Sequence, residues 1–157
     1  MRDYRVPKEK ASVVIEMPPH PPETRFVFLA PFAQGHTGME TPSDIFNVPQ
    51  AFIPLFREGG DVVLVRRDAI TWVMVGDPRR SEWFYFETRA DVPDGPIHIE
   101  FDTGTNLDGR IALAGPMGSR RVLDIVNRQG GFLHVERDDE LFLVNLERVT
   151  SITLIGK

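Results

Sequence analysis

Short runs of alternating apolar and polar residues fill this chain, and turn-forming residues break them every few positions. Alternation with a period of two puts one face of a strand on a core and the other toward solvent. In the first half the pattern predicts strands at residues 13–17, 25–30, 52–56, 62–65 and 70–75. In the second half it predicts strands at 97–101, 110–114, 132–136, 140–144 and 149–155. Pro18, Pro19, Pro21 and Pro22 interrupt the first run, because proline donates no ladder hydrogen bond. Thr41-Pro42-Ser43-Asp44 reads as a helix start, with Thr as N-cap, Pro at the first helical position and an acid three residues after the cap. Pro49 keeps that helix short. A second short helix is expected at 122–127, ended by Gly130-Gly131. Glu58-Gly59-Gly60-Asp61, Arg66-Arg67-Asp68, Asn106-Leu107-Asp108-Gly109 and Arg137-Asp138-Asp139 read as turns.

The pattern also repeats. Asp44-Ile45-Phe46-Asn47 and Phe52-Ile53-Pro54-Leu55 recur 80 residues later as Asp124-Ile125-Val126-Asn127 and Phe132-Leu133-His134-Val135. After a one-residue deletion, the eight residues from Leu64 to Thr71 match those from Leu143 to Thr150. Upstream, Val13 to Met17 parallels Ile97 to Phe101, and Arg25 to Pro31 parallels Arg110 to Pro116. Two copies of one small unit are therefore expected. Units of roughly 65 residues are near the lower size limit for an independent core, so the copies should pack on each other. The organisation expected is a flexible segment at 1–10, a first repeat at 11–75, a connecting strand and linker at 76–96, and a second repeat at 97–157. The connecting strand is the aromatic run Ser81 to Glu87.

Five strands with tight hairpins and one short helix per copy suggest a small, strongly bent barrel, since closure removes exposed edges. The fold class expected is all-β, two tandem small barrels packed together. The strand order resembles SH3-like and Sm-like barrels, and Phe142 to Ile152 resembles the last two strands of an Sm-like barrel. The unit formed by Arg121, Asp124, Asn127, Phe132 and Leu133 resembles a bacterial family of duplicated small β-barrels. That family is built around Arg-x-x-Asp-x-x-Asn followed by a Phe-Leu strand. The first copy keeps Asp44, Asn47, Phe52 and Ile53 but has Thr41 in place of the Arg. Neither resemblance carries a catalytic residue or a cofactor across.

Composition narrows the function classes. Hydrophobic and charged fractions of 41% and 26% are those of a globular chain. The net charge of −5 argues against nucleic acid as the default partner, because such binders displace counterions with a basic surface. Arg120-Arg121 is the strongest basic spot. The absence of cysteine excludes disulfides, thiolate metal sites and Cys nucleophiles. Neither a signal-peptide core nor a membrane-length apolar run is present, so a cytoplasmic protein is expected.

The candidate chemistry is thin. Asp44 with Asn47, and Asp124 with Asn127, fall on one helical face in each copy. They read as a twice-used polar site or as caps, and caps are the commoner use of short polar side chains at helix ends. His20, His36, His98 and His134 have no metal-ligand spacing, although His98 and His134 could meet across strands. His36 sits in a Gly-flanked loop; residues 34–41 fall where the first copy is longer than the second, the natural place for a private function. Asp102-Thr103-Gly104 has no second Asp-Thr/Ser-Gly and reads as part of a long turn running to Asp108-Gly109. Trp72, Trp83, Phe84, Tyr85 and Phe86 read either as a stacking platform or as a covered interface.

The expected function is a non-enzymatic protein-interaction or scaffolding module that binds a protein partner or itself, without cofactor or metal. Its candidate surface is Trp72, Trp83, Tyr85, His36, Arg120 and Arg121. The alternatives are an Sm-like RNA binder and a small-molecule-binding or regulatory domain. The repeat further predicts that Phe52 and Phe132 are equivalent core residues.

Overall fold

A computed structural model describes residues 8–31, 40–75, 96–111, 123, 126–127, 131–138 and 140–155. The fold is all-β. Among the described residues, ten strands form one open antiparallel sheet: β1 Glu9–Met17, β2 His20–Leu29, β3 Phe52–Phe56, β4 Val62–Arg66, β5 Trp72–Val75, β6 Ile97–Phe101, β7 Asn106–Ile111, β8 Phe132–Arg137, β9 Glu140–Asn145 and β10 Val149–Leu154. Helix α1, Pro42–Phe46, lies between β2 and β3. Leu123, Val126 and Asn127 are also helical.

The order across the sheet is β10-β6-β7-β8-β9-β5-β1-β2-β3-β4. Within each half the fifth strand pairs with the first, and the next three follow in chain order. The registers agree as well. Val13 faces Val75 and Ile15 faces Val73, as Ile97 faces Leu154 and Ile99 faces Ile152. Phe52 faces Arg66 and Ile53 faces Val65, as Phe132 faces Asn145 and Leu133 faces Val144. Short 3-10 turns at Arg67–Ala69 and Leu146–Arg148 lead into β5 and β10. The halves join head to tail, through β5 of the first and β9 of the second, with Val73 opposite Leu143 and Val75 opposite Leu141.

Two apolar cores flank this seam. One collects Val13, Ile15, Leu29, Phe46, Ile53, Leu55, Val73 and Val75, together with Phe132, Leu141 and Leu143 from the second half. The other collects Ile97, Ile99, Phe101, Leu133, Val135, Phe142 and Val144, with Trp72 and Met74 of the first half packed on it. Successive residues of a strand point to opposite faces. The continuous apolar run Leu141-Phe142-Leu143-Val144 therefore serves both cores at once, as a strand covered on both faces must.

Several boundaries differ from the sequence reading. β1 begins at Glu9, inside the segment expected to be flexible, and β2 begins at His20, so Pro18 and Pro19 form the hairpin turn and Pro21 and Pro22 lie in the strand. The early part of β2 is exposed and lies beyond its single pairing with β3, where a missing N–H costs little. The turn between β6 and β7 sits at Asp102-Thr103-Gly104, with Gly104 at φ +90°, and not at Asn106-Leu107-Asp108-Gly109. Leu107 is buried within the ladder. Gly109 is in β7 because a Cβ there would stand 2.7 Å from the Glu136 carbonyl oxygen and 2.7 Å from Val135 Cγ1. The Asp-Gly pair looked like a turn, but close strand packing is what requires its glycine.

Candidate functional site

In the first half, the residues that read as a polar site or as caps hold the helix and the seam. Thr41 caps α1, accepting from the Asp44 amide, while the Asp44 carboxylate accepts from the Thr41 amide at 2.7 Å. This reciprocal cap satisfies two of the amides a helix start leaves open. Asn47 ends the helix at φ −98°, outside the left-handed region. Its side-chain amide donates to the Ser43 carbonyl at 3.0 Å, and its Oδ1 accepts from the Phe132 amide at 2.8 Å. Asn47 thus ties the first half's helix to the start of β8. Gly131 sits at φ +78°, and a Cβ there would stand 2.6 Å from Asn47 Oδ1. From the other side of the seam, Asn145 donates to the Ile70 carbonyl at 2.9 Å and its backbone amide to Thr71.

Phe132 is fully buried, and its ring centroid lies 5.9 Å from that of Phe46. Phe52 is 45% exposed, with the Arg66 guanidinium 4.6 Å from its ring centroid. The expected equivalence in burial therefore fails, although the strand registers of the two phenylalanines agree. Phe132 faces the seam, whereas Phe52 faces the open end of the sheet.

His98 and His134 do not meet. His98 Nδ1 lies 2.6 Å from Asp108 Oδ1, and that hydrogen bond raises the imidazole pKa. His134 is buried in β8, and loss of hydration pushes its pKa down to about 4, against the attraction of Asp44. Burial raises the Glu16 carboxyl pKa, opposed by hydrogen bonds from Thr105 and Trp72. Among the described residues no cluster of three His, Asp or Glu is placed to hold a metal. No helix there is long and apolar enough to cross a membrane.

Trp72 packs edge-on against Phe142 with centroids 5.2 Å apart, so it belongs to the seam more than to a free surface. Trp83, Tyr85, His36, Arg120, Arg121 and Asp124 lie outside the described residues, as do the expected strand at 81–87 and nearly all of the loop at 34–41. Asn127 is exposed.

Two surface features remain. One is a cavity of about 480 Å³ between α1 and the β2–β3 face, lined by Phe28, Ile45, Phe52, Ile53, Pro54 and Phe56. The other is the pair of sheet edges. Among the described residues, the exposed large apolar ones are Phe52, Val62, Leu64, Leu123, Leu154 and Ile155. Val62 and Leu64 lie on edge strand β4, Phe52 stands beside them on β3, and Leu154 and Ile155 lie on and just past edge strand β10. Sequence reading missed these edges because Val62 and Leu64 look like core residues until their neighbours are known. Comparisons with protein-family models, with curated proteins and with solved structures find no match to the chain.

Proposed function

We propose that the protein is a non-enzymatic interaction module that engages protein partners by adding strands to the edges of its sheet. One observation carries this reading: among the described residues, five of the six exposed large apolar side chains border β4 and β10. Edge strands in isolated proteins are usually blunted by charge, proline or a bulge. Here the sequences are Val62-Val63-Leu64-Val65-Arg66 and Val149-Thr150-Ser151-Ile152-Thr153-Leu154, with one charge between them and no proline, and the one irregularity of β10 falls at its start, between Val149 and Ser151. Open ladder groups beside apolar side chains are the chemistry of strand addition. We read each half as one small bent barrel of an internal duplication, supported by the matching registers and by the resemblance to Sm-like and SH3-like barrels.

The cavity beside α1 favours a second reading, a small-molecule-binding domain, since its apolar lining with Lys8 and Glu40 at its border suits a compact ligand. An Sm-like RNA binder is the third, and its test is Arg120→Glu with Arg121→Glu, which should abolish RNA retention and spare protein retention. The main experiment is a pull-down on immobilised wild-type chain and on Leu64→Lys and Leu154→Lys variants, with and without nuclease. The interaction reading predicts nuclease-resistant protein retained by wild type and diminished in both variants. Retained RNA with no protein would replace it with the nucleic-acid reading.

A further inference from the structure

The seam inside the molecule is a template for a joint between molecules. Strand β9 is the fourth strand of its half and pairs with β5, the fifth strand of the other. Among the described residues, a head-to-tail joint of that kind leaves a fourth strand, β4, at one edge of the sheet and a fifth strand, β10, at the other. We infer that β4 of one chain pairs antiparallel with β10 of a second copy, so that chains assemble head to tail through a repeat of their own internal seam. This inference rests on the edge-binding reading above and names its partner.

The register follows from the repeat. In the internal seam Trp72, Val73, Met74 and Val75 face Val144, Leu143, Phe142 and Leu141. Their counterparts at the free ends are Ser151, Ile152, Thr153 and Leu154 on β10, and Val65, Leu64, Val63 and Val62 on β4. Ile152 would therefore face Leu64, and Leu154 would face Val62, of the next chain. Burial shows what is missing. Val73, Val75, Leu141 and Leu143 are at most 1% exposed, whereas Leu154, Val62 and Leu64 are 41%, 51% and 65% exposed. Phe132 is buried against Phe46 at the seam, and its counterpart Phe52 stands 45% exposed at the free end. Asn47, which accepts from the Phe132 amide, has an exposed counterpart in Asn127.

A second copy fits these edges better than an unrelated strand. Each edge matches in backbone register a strand that the chain already pairs internally, and the two edges are complementary to each other rather than to themselves. Five seam positions depart from the repeat: the counterparts of Asn145, Gly131, Trp72, Met74 and Phe142 are Arg66, Ala51, Ser151, Thr153 and Val63, so the joint would be made by the backbone ladder and the aliphatic pairs, without the aromatic contact of the seam. The Arg66 guanidinium is still a donor, so it can serve the carbonyl that Asn145 serves within the chain. Heterologous joints of this kind close into rings when the rotation per joint permits.

The experiment is native mass measurement of the purified chain and of two edge variants, alone and mixed. Wild type should give an assembly whose mass is a whole multiple of 17.8 kDa. Leu64→Lys and Leu154→Lys should each be monomeric, with unchanged circular dichroism reporting a retained fold. Mixed together they should form a dimer and nothing larger, because the intact β10 of one meets the intact β4 of the other. A wild-type chain that is monomeric at every micromolar concentration overturns the inference. So does a dimer that persists in either variant alone, since that would be a symmetric pairing of like edges. If wild type is monomeric but still retains other proteins through intact edges, self-assembly fails and the interaction reading survives.

Discussion

Asn47 and Gly131 meet across the seam, where a Cβ at position 131 would stand 2.6 Å from Asn47 Oδ1. Asn47→Ala removes the acceptor of the Phe132 amide, and leaving such a donor unpaired costs about 1–3 kcal/mol. Gly131→Ala adds a Cβ at a positive φ and against Asn47 Oδ1, and should cost more than about 1 kcal/mol. Urea unfolding checks both, and wild-type midpoints for both would remove the proposed tie. Phe132→Ala should cost about 3–5 kcal/mol, the usual loss for a buried aromatic. In the monomeric Leu64→Lys background, Phe52→Ala should cost below about 1.5 kcal/mol, because the ring there is half in solvent. Equal losses at the two sites would contradict the difference in burial. His134 gives a pH signature. Its folded pKa of about 4 lies below the ordinary histidine value, so the unfolded chain binds the proton more readily. Stability is then full above about pH 6.5 and falls by up to about 3 kcal/mol as pH drops toward 4. His134→Gln should flatten that part of the stability profile, as followed by thermal melts from pH 7 to 4.

At the scale of elements, the sequence made most of the strands legible. β3 and β6 lie where alternation placed them, and Thr41, Pro42 and Asp44 start α1 as their spacing required. Thr41→Ala should cost about 1 kcal/mol, the ordinary value of an N-cap, in the same unfolding assay. The misplaced turn at Asn106 to Gly109 has a physical reason. Local chemistry there favours a turn, but Leu107 must reach the core and Gly109 must admit the β8 backbone, so packing decides the strand. The burial of Phe52 was illegible for a related reason: its local sequence matches that of Phe132, and the difference lies in which strand stands beside it. Asn47 could be read as a cap, but nothing in the sequence marks its second bond, to an amide 85 residues away.

For the whole molecule, the head-to-tail order of strands explains features that no single half accounts for. β9 is apolar on both faces because it serves two cores, while β4 has the same register within its half and an exposed outer face. The strand edges add to the candidate surface, Trp72 packs at the seam, and Trp83, Tyr85, His36, Arg120 and Arg121 lie outside the described residues. The central claim is that these edges are paired in the assembled protein. Amide hydrogen exchange on wild type tests it most directly. The account predicts that amides of Val62–Arg66 and Val149–Leu154 pointing away from β3 and β6 exchange as slowly as those of β5 and β9, and that Leu64→Lys frees both sets together. Rapid exchange of both sets in wild type would contradict it.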